Sequence, residues 1–218
     1  FGIYFNGKLF ATFKRLQNVS TSEIHIPFFP LNIFLLPGEQ VPLHIFEQRY
    51  RQLFADAEGE DLAFGLPFED ADLKCGYVSV CKLVEVTKRY NAGESDVIIE
   101  AYSVGKLKSF ESVFPQKKYP GGVVEMEQEK CLNALPTEEV LAAFDKYLSF
   151  LEGSERLDLS GYRLVDIAAS MKLSNTDKVK LIRTKNEEKQ NSFLLRNLRY
   201  TNLLLDQERG IENGFILN

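Results

Sequence analysis

Four prolines within sixteen residues fix what the first third of this chain can become. The run from Ile26 to Gly38 reads Ile-Pro-Phe-Phe-Pro-Leu-Asn-Ile-Phe-Leu-Leu-Pro-Gly, and Pro42 follows inside Val41-Pro42-Leu43-His44-Ile45-Phe46. Each proline removes a backbone donor and pushes the residue before it toward extended geometry, so one apolar helix is excluded. The apolar residues must sit in short extended segments joined by turns. From Phe46 a helical period takes over, with Phe46, Tyr50, Leu53, Phe54 and Ala57 on one face and Glu47 and Arg51 spaced for an i,i+4 ion pair. This spacing predicts a helix over 46–57 with Phe46 in the core.

Beyond that helix, period-two alternation predicts strands. Leu62–Leu66 reads as a short strand ended by Pro67, then an acidic loop around Glu69, Asp70 and Asp72, then a half-buried strand over Gly76–Thr87. Asn91–Ser95 supplies a turn, Val97–Tyr102 the antiparallel return, Gly105 a restart into Lys106–Phe110, and Gly121–Met126 a last strand. After Pro136 the signals become helical. Thr137 caps a helix with Glu138 and Glu139 in its first turn and a stripe of Val140, Phe144, Tyr147, Leu148 and Leu151, ended by Gly153. Leu164–Met171 and Asn175–Ile182 follow, the second opened by Ser174-x-x-Asp177, and a final helix spans about 186–206. Strands first and helices later make an α+β chain with three parts: an appendage over 1–23 carrying an Asn6-Gly7 hairpin signal, a β-rich subdomain over 24–132, and a helical bundle over 133–218.

The prolines, Pro37-Gly38 and the block Ile45-Phe46-Glu47 with Arg49-Tyr50-Arg51 together resemble the opening of the Lon protease N-terminal domain family. Later segments are similar to it more loosely: Gly76–Cys81, Val104–Phe110, and the helical pair Leu164–Ser174 and Lys178–Ile182. The resemblance implies a PUA-like β-barrel followed by a helical bundle. It further implies a noncatalytic module that recognises unfolded or extended polypeptide segments, or a protein partner, through a groove between barrel and helices. Pro30, Phe34, Pro42, His44 and Tyr50 are the candidates for lining such a groove, because turns and strand ends expose apolar surface.

Little reactive chemistry competes with that reading. Gly2-Ile3-Tyr4-Phe5-Asn6-Gly7-Lys8-Leu9 imitates a phosphate loop, but Leu9 stands where a Ser or Thr hydroxyl would meet Mg²⁺, so no nucleotide cofactor is expected. The ATPase module and Ser-Lys peptidase of the full protease have no counterpart in these residues. His44 lacks a serine elbow or cysteine partner and is expected to hydrogen-bond at the barrel edge. Cys75, Cys81 and Cys131 are odd in number and lack metal-ligand spacing, so buried free thiols in a reducing, cytoplasmic compartment and no metal are expected. The alternative is RNA binding, since PUA-like barrels also bind RNA and Lys82, Lys88, Arg89, Lys106, Lys108, Lys117 and Lys118 suggest a basic face. A net charge of −5 argues against nucleic acid and anionic membranes alike, and no apolar stretch is long enough to span a bilayer.

Overall fold

The computed structural model describes residues 22–70, 75–127, 133–151 and 158–215. The Asn6-Gly7 hairpin, Asp72, Cys131 and Gly153 lie outside these residues. Six antiparallel strands form one sheet: β1 (Glu23–Pro27), β2 (Gln40–Ile45), β3 (Phe64–Asp70), β4 (Cys75–Arg89), β5 (Ser95–Glu111) and β6 (Gly121–Met126). The order β1-β6-β5-β4-β3 has β2 attached separately to β5. β5 is therefore the spine. It pairs with β4 over most of its length on one side; on the other it meets β2 through Ser95–Glu100 and then β6 through Gly105–Glu111. Register shifts along β4 and β5 bend and twist this long ladder, as bulges do.

The structure corrects the sequence reading in several places. Gly105 does not restart the chain, because β5 runs unbroken through it. It is glycine because β6 approaches closely, and a Cβ there would lie 2.4 Å from Val124 Cγ1 and 2.7 Å from the Glu125 carbonyl oxygen. Pro67 does not end β3. It sits inside an edge strand, where no second ladder needs its missing donor, and Glu69 and Asp70 are strand rather than loop. The expected barrel is a curled, open sheet. Its edges meet at one parallel bridge between Phe28 and Gly65, with the Phe29 amide donating to the Gly65 carbonyl at 2.8 Å. A Cβ at Gly65 would press on Val78 and the Phe28 ring, so that pinch also requires glycine.

Helix α1 (Gln48–Glu60) begins two residues later than its period suggests and buries Tyr50, Leu53, Phe54 and Ala57. Phe54 meets Phe29 and Phe64 edge-on at 5.4 and 5.3 Å, which seats the helix on the sheet. The expected Glu47–Arg51 pair does not form: Glu47 pairs with Arg49 at 2.8 Å, and Arg51 reaches the β4–β5 turn instead.

The helical part contains α2 (Glu138–Leu148), α3 (Leu164–Ser170), α4 (Asn175–Arg183) and α5 (Glu187–Phe215). Ser174 Oγ accepts from the Asp177 amide, and Thr137 Oγ1 lies 3.4 Å from the Val140 amide, so both predicted caps are in place. α2 ends at Leu148, before Gly153, and leaves Leu151 exposed. α5 runs nine residues past the expected stop near Asp206.

The irregular segment between β1 and β2 joins the two halves. Phe34, Leu36, Phe68, Tyr77 and Val104 share one buried cluster with Phe144, Ile167, Val179, Leu181, Leu194 and other helical residues. The two ends of the segment bond to sheet backbone, but over Phe34–Leu36 it has no strand partner and side chains satisfy most of its backbone, as burial requires. Ser79 Oγ accepts from the Leu35 amide and donates to the Leu35 carbonyl, each at 2.8 Å. Asn175 Oδ1 accepts from the Phe34 amide at 3.1 Å. Buried Lys178 donates to the Phe34 carbonyl and to both Glu39 oxygens, at 2.6 and 2.8 Å. Burial raises the Glu39 pKa, outweighing the hydrogen bonds from Lys178 and the Leu36 amide.

Candidate functional site

The five residues expected to line a groove separate in the structure. Phe34 is fully buried in the joint between sheet and helices, and Tyr50 is buried beneath α1, 4.6 Å from the Phe29 ring, so both are core. Pro30 is exposed in the irregular segment. Pro42 and His44 are exposed on the outer face of β2, while Ile45 turns into the core.

That alternation continues one step beyond the strand. Phe46 follows Pro42 and His44 at period two and is 58% exposed, which corrects its expected core position. Its apparent place in the helical stripe is a coincidence of spacing, because α1 starts at Gln48 and the link residue still obeys the strand. The period of β2 itself was the signal that locates Phe46.

The ring of Phe46 lies nearly parallel to His44, with centroids 6.2 Å apart. His44 meets Tyr90 edge-on at 5.6 Å, and the Lys88 ammonium sits 4.5 Å from the centre of the Tyr90 ring. Asp96, opposite His44 in the β2–β5 register, fixes these rings. Its Oδ1 lies 2.6 Å from His44 Nδ1, and its Oδ2 accepts from the Tyr90 hydroxyl at 2.7 Å. Hydrogen bonds from His44 and Tyr90 hold the Asp96 pKa below the ordinary carboxylate range. A carboxylate only accepts, so Nδ1 carries the proton. The other ring nitrogen is 3.8 Å from Glu94. The polar partners of this histidine are carboxylates, and the Tyr90 hydroxyl shares Asp96 with it.

The turn carrying Tyr90 is tied down as well. Arg51 donates to the Ala92 carbonyl at 2.7 Å and lies 3.7 Å from Glu94, fastening the β4–β5 turn to α1. The result is a face of exposed Pro42, His44 and Phe46 beside half-buried Tyr90, in which hydrogen bonds to Asp96 position the His44 and Tyr90 rings. It suits contact with apolar or aromatic groups.

Other candidates resolve differently. Cys81 is a buried free thiol whose pKa is raised by burial. Among the described residues no cluster of His, Cys, Asp and Glu could hold a metal ion, and no helix is long and apolar enough to cross a membrane. Of the basic residues considered for RNA, Arg89 pairs with Glu58, Lys108 with Glu125 and Lys117 with Asp56, while Lys88 covers Tyr90. Three of the seven basic residues of the RNA alternative are thus paired with carboxylates.

No protein-family model matches the sequence, and no curated protein matches it. Solved structures do match. A Lon N-terminal domain protein from Xanthomonas campestris superposes with a TM-score of 0.59 at 20% identity, covering 79% of this chain and 98% of that one. The chain has the Lon N-terminal domain fold. The N-terminal domain of a Mycobacterium avium complex Lon protease is also similar, with a TM-score of 0.51 at 15% identity, covering 81% of this chain and 98% of that domain. The Lon N-terminal domain fold here is the α+β arrangement expected from the sequence, and it presents the Pro42–Tyr90 face at the end of the sheet where β2, α1 and the β4–β5 turn converge.

Proposed function

We propose that this chain is a noncatalytic polypeptide-binding module, and that the Pro42–His44–Phe46–Tyr90 face takes an extended, apolar-rich segment of a protein partner. The observation that carries the reading is Phe46, a large aromatic more than half exposed, whose ring lies nearly parallel to that of hydrogen-bonded His44. Exposed apolar groups arranged this way mark interaction surfaces, and a preorganised ring loses little freedom on binding. Likeness to Lon N-terminal domains supports the same reading. A shallow face that must order a flexible peptide gives dissociation constants on the order of micromolar or weaker.

The test is a fluorescence titration with a panel of apolar-rich peptides from unfolded proteins. Binding should persist at raised salt, since apolar contacts are not screened. Phe46→Ala should weaken it by about tenfold, the scale of a modest hot spot, with the fold intact. No binding to the intact chain near millimolar peptide, or equal binding by Phe46→Ala, contradicts the proposal.

A further inference from the structure

A second surface, on the helical part, has an organisation of its own. α2 and α5 run parallel, and their contacts keep an almost constant sequence offset. Glu139 pairs with Arg199, the Ala143 carbonyl accepts from Asn202, Lys146 pairs with Asp206, and the Ser149 carbonyl accepts from Arg209. Between the helices lies an open groove of about 490 Å³. The small Ala142 and Ala143 line it on α2, and Leu203, 54% exposed, lines it on α5. Tyr200 and Leu204 extend this apolar stripe on α5 at helical spacing, both exposed.

The charges around the groove select its occupant. Along α2, acidic Glu139 precedes basic Lys146; along α5, basic Arg199 precedes acidic Asp206, and each same-helix pair is two turns apart, about 10 Å. The four exposed charges thus form a checkerboard, acid beside base across the groove and acid above base along each helix. Such a pattern is complementary to itself. Turning a second copy over about an in-plane two-fold axis that runs along or across the helices sets every acid against a base: Glu139 meets the other copy's arginine or lysine, and Asp206 likewise. A surface whose charges were all of one sign would repel its own copy, and a two-fold contact requires a self-complementary patch.

We infer that this chain self-associates face to face through the α2–α5 groove, with a second copy of the same groove as the occupant. Leu203 and the Tyr200–Leu204 stripe supply the apolar centre, the small alanines allow close approach, and the checkerboard supplies register.

Sedimentation velocity on the full chain tests this with two charge variants. Glu139→Lys with Asp206→Lys makes the surface wholly basic, and Lys146→Glu with Arg199→Glu makes it wholly acidic. The unaltered chain should form dimers that dissociate on dilution. Each single-sign variant should self-associate roughly a hundredfold more weakly, because like charges then face one another. Mixing the two variants should restore the dimer. Circular dichroism melts confirm that both fold, and Leu203→Asp, which leaves all four charges, should also give monomer. An unaltered chain that stays monomeric to several hundred micromolar overturns the inference. So do folded single-sign variants that dimerise as the unaltered chain does, or a mixture no more associated than its components.

Discussion

Phe34 and Phe46 belong to the same proline-punctuated stretch, yet one is fully buried and the other is more than half exposed. The regions around them use polar groups in opposite ways. At the joint, Lys178, Glu39, Ser79 and Asn175 are turned inward to satisfy the backbone of Phe34–Leu36, which has no strand partner, and the apolar rings pack among them. At the outer face of β2, Asp96 and His44 lie toward solvent and hold an aromatic ring outward. Burial at the joint secures the fold, and exposure at the rim leaves apolar surface open to solvent.

The largest expected contrast is in stability. Phe34→Ala should cost about 3–5 kcal/mol, the usual penalty for emptying a buried aromatic site. Phe46→Ala should change stability by less than about 0.5 kcal/mol, as surface changes do. Urea unfolding of the two variants makes the comparison directly, and equal losses would erase the distinction between the regions.

Next in size is the buried ion pair. Lys178→Met should cost about 3 kcal/mol at neutral pH, because Glu39 is left buried without its cation. Adding Glu39→Gln should recover part of the loss, since the amide oxygen still accepts from the Leu36 amide. A single variant as stable as the original would show that the joint does not depend on this pair.

These differences explain which features were legible in the sequence. The Thr137 and Ser174 caps and the bounds of β6 follow from local chemistry, and the structure places them where that chemistry puts them. The α+β order was equally plain, because the change of hydrophobic period near Pro136 is sharp. The misreadings came where two periods overlap or a partner is remote. Phe46 satisfies both the strand's period of two and the following helix's spacing; the strand's period is the one that locates it, as the start of α1 at Gln48 shows. Arg51 was assigned to Glu47 because nothing local announces a carbonyl forty-one residues away. Gly105 looked like a turn because close approach by β6 is a tertiary fact. The candidate site was legible only in part: Pro42 and His44 were named, while Tyr90 and Asp96 join them through the pairing of β2 with β5.

The smallest expected contrast is the response to pH, where the two regions have opposite signs. Glu39 has a folded-state pKa raised above its ordinary 4.5, so its contribution to stability is complete below that value and is lost as pH rises through the folded one. Asp96 has a folded-state pKa below its ordinary 3.8, so its contribution is present above that value and is lost as pH falls through the folded one. Glu39→Gln should therefore remove a decline in stability on the alkaline side of 4.5. Asp96→Asn should remove a decline on the acid side of 3.8. Thermal melts across about pH 3 to 7 read both, and slopes altered in the same direction by the two variants would contradict the assigned environments.

Whether polypeptide binds at the Pro42–His44–Phe46–Tyr90 face is read most directly by an NMR titration of the isotope-labelled chain with an apolar-rich peptide, which locates the contact without any substitution. Binding there should give shift changes concentrated on His44, Phe46, Tyr90 and Asp96, with the Phe34–Lys178 joint unmoved. Perturbations centred on the joint, or confined to the helices, would contradict it.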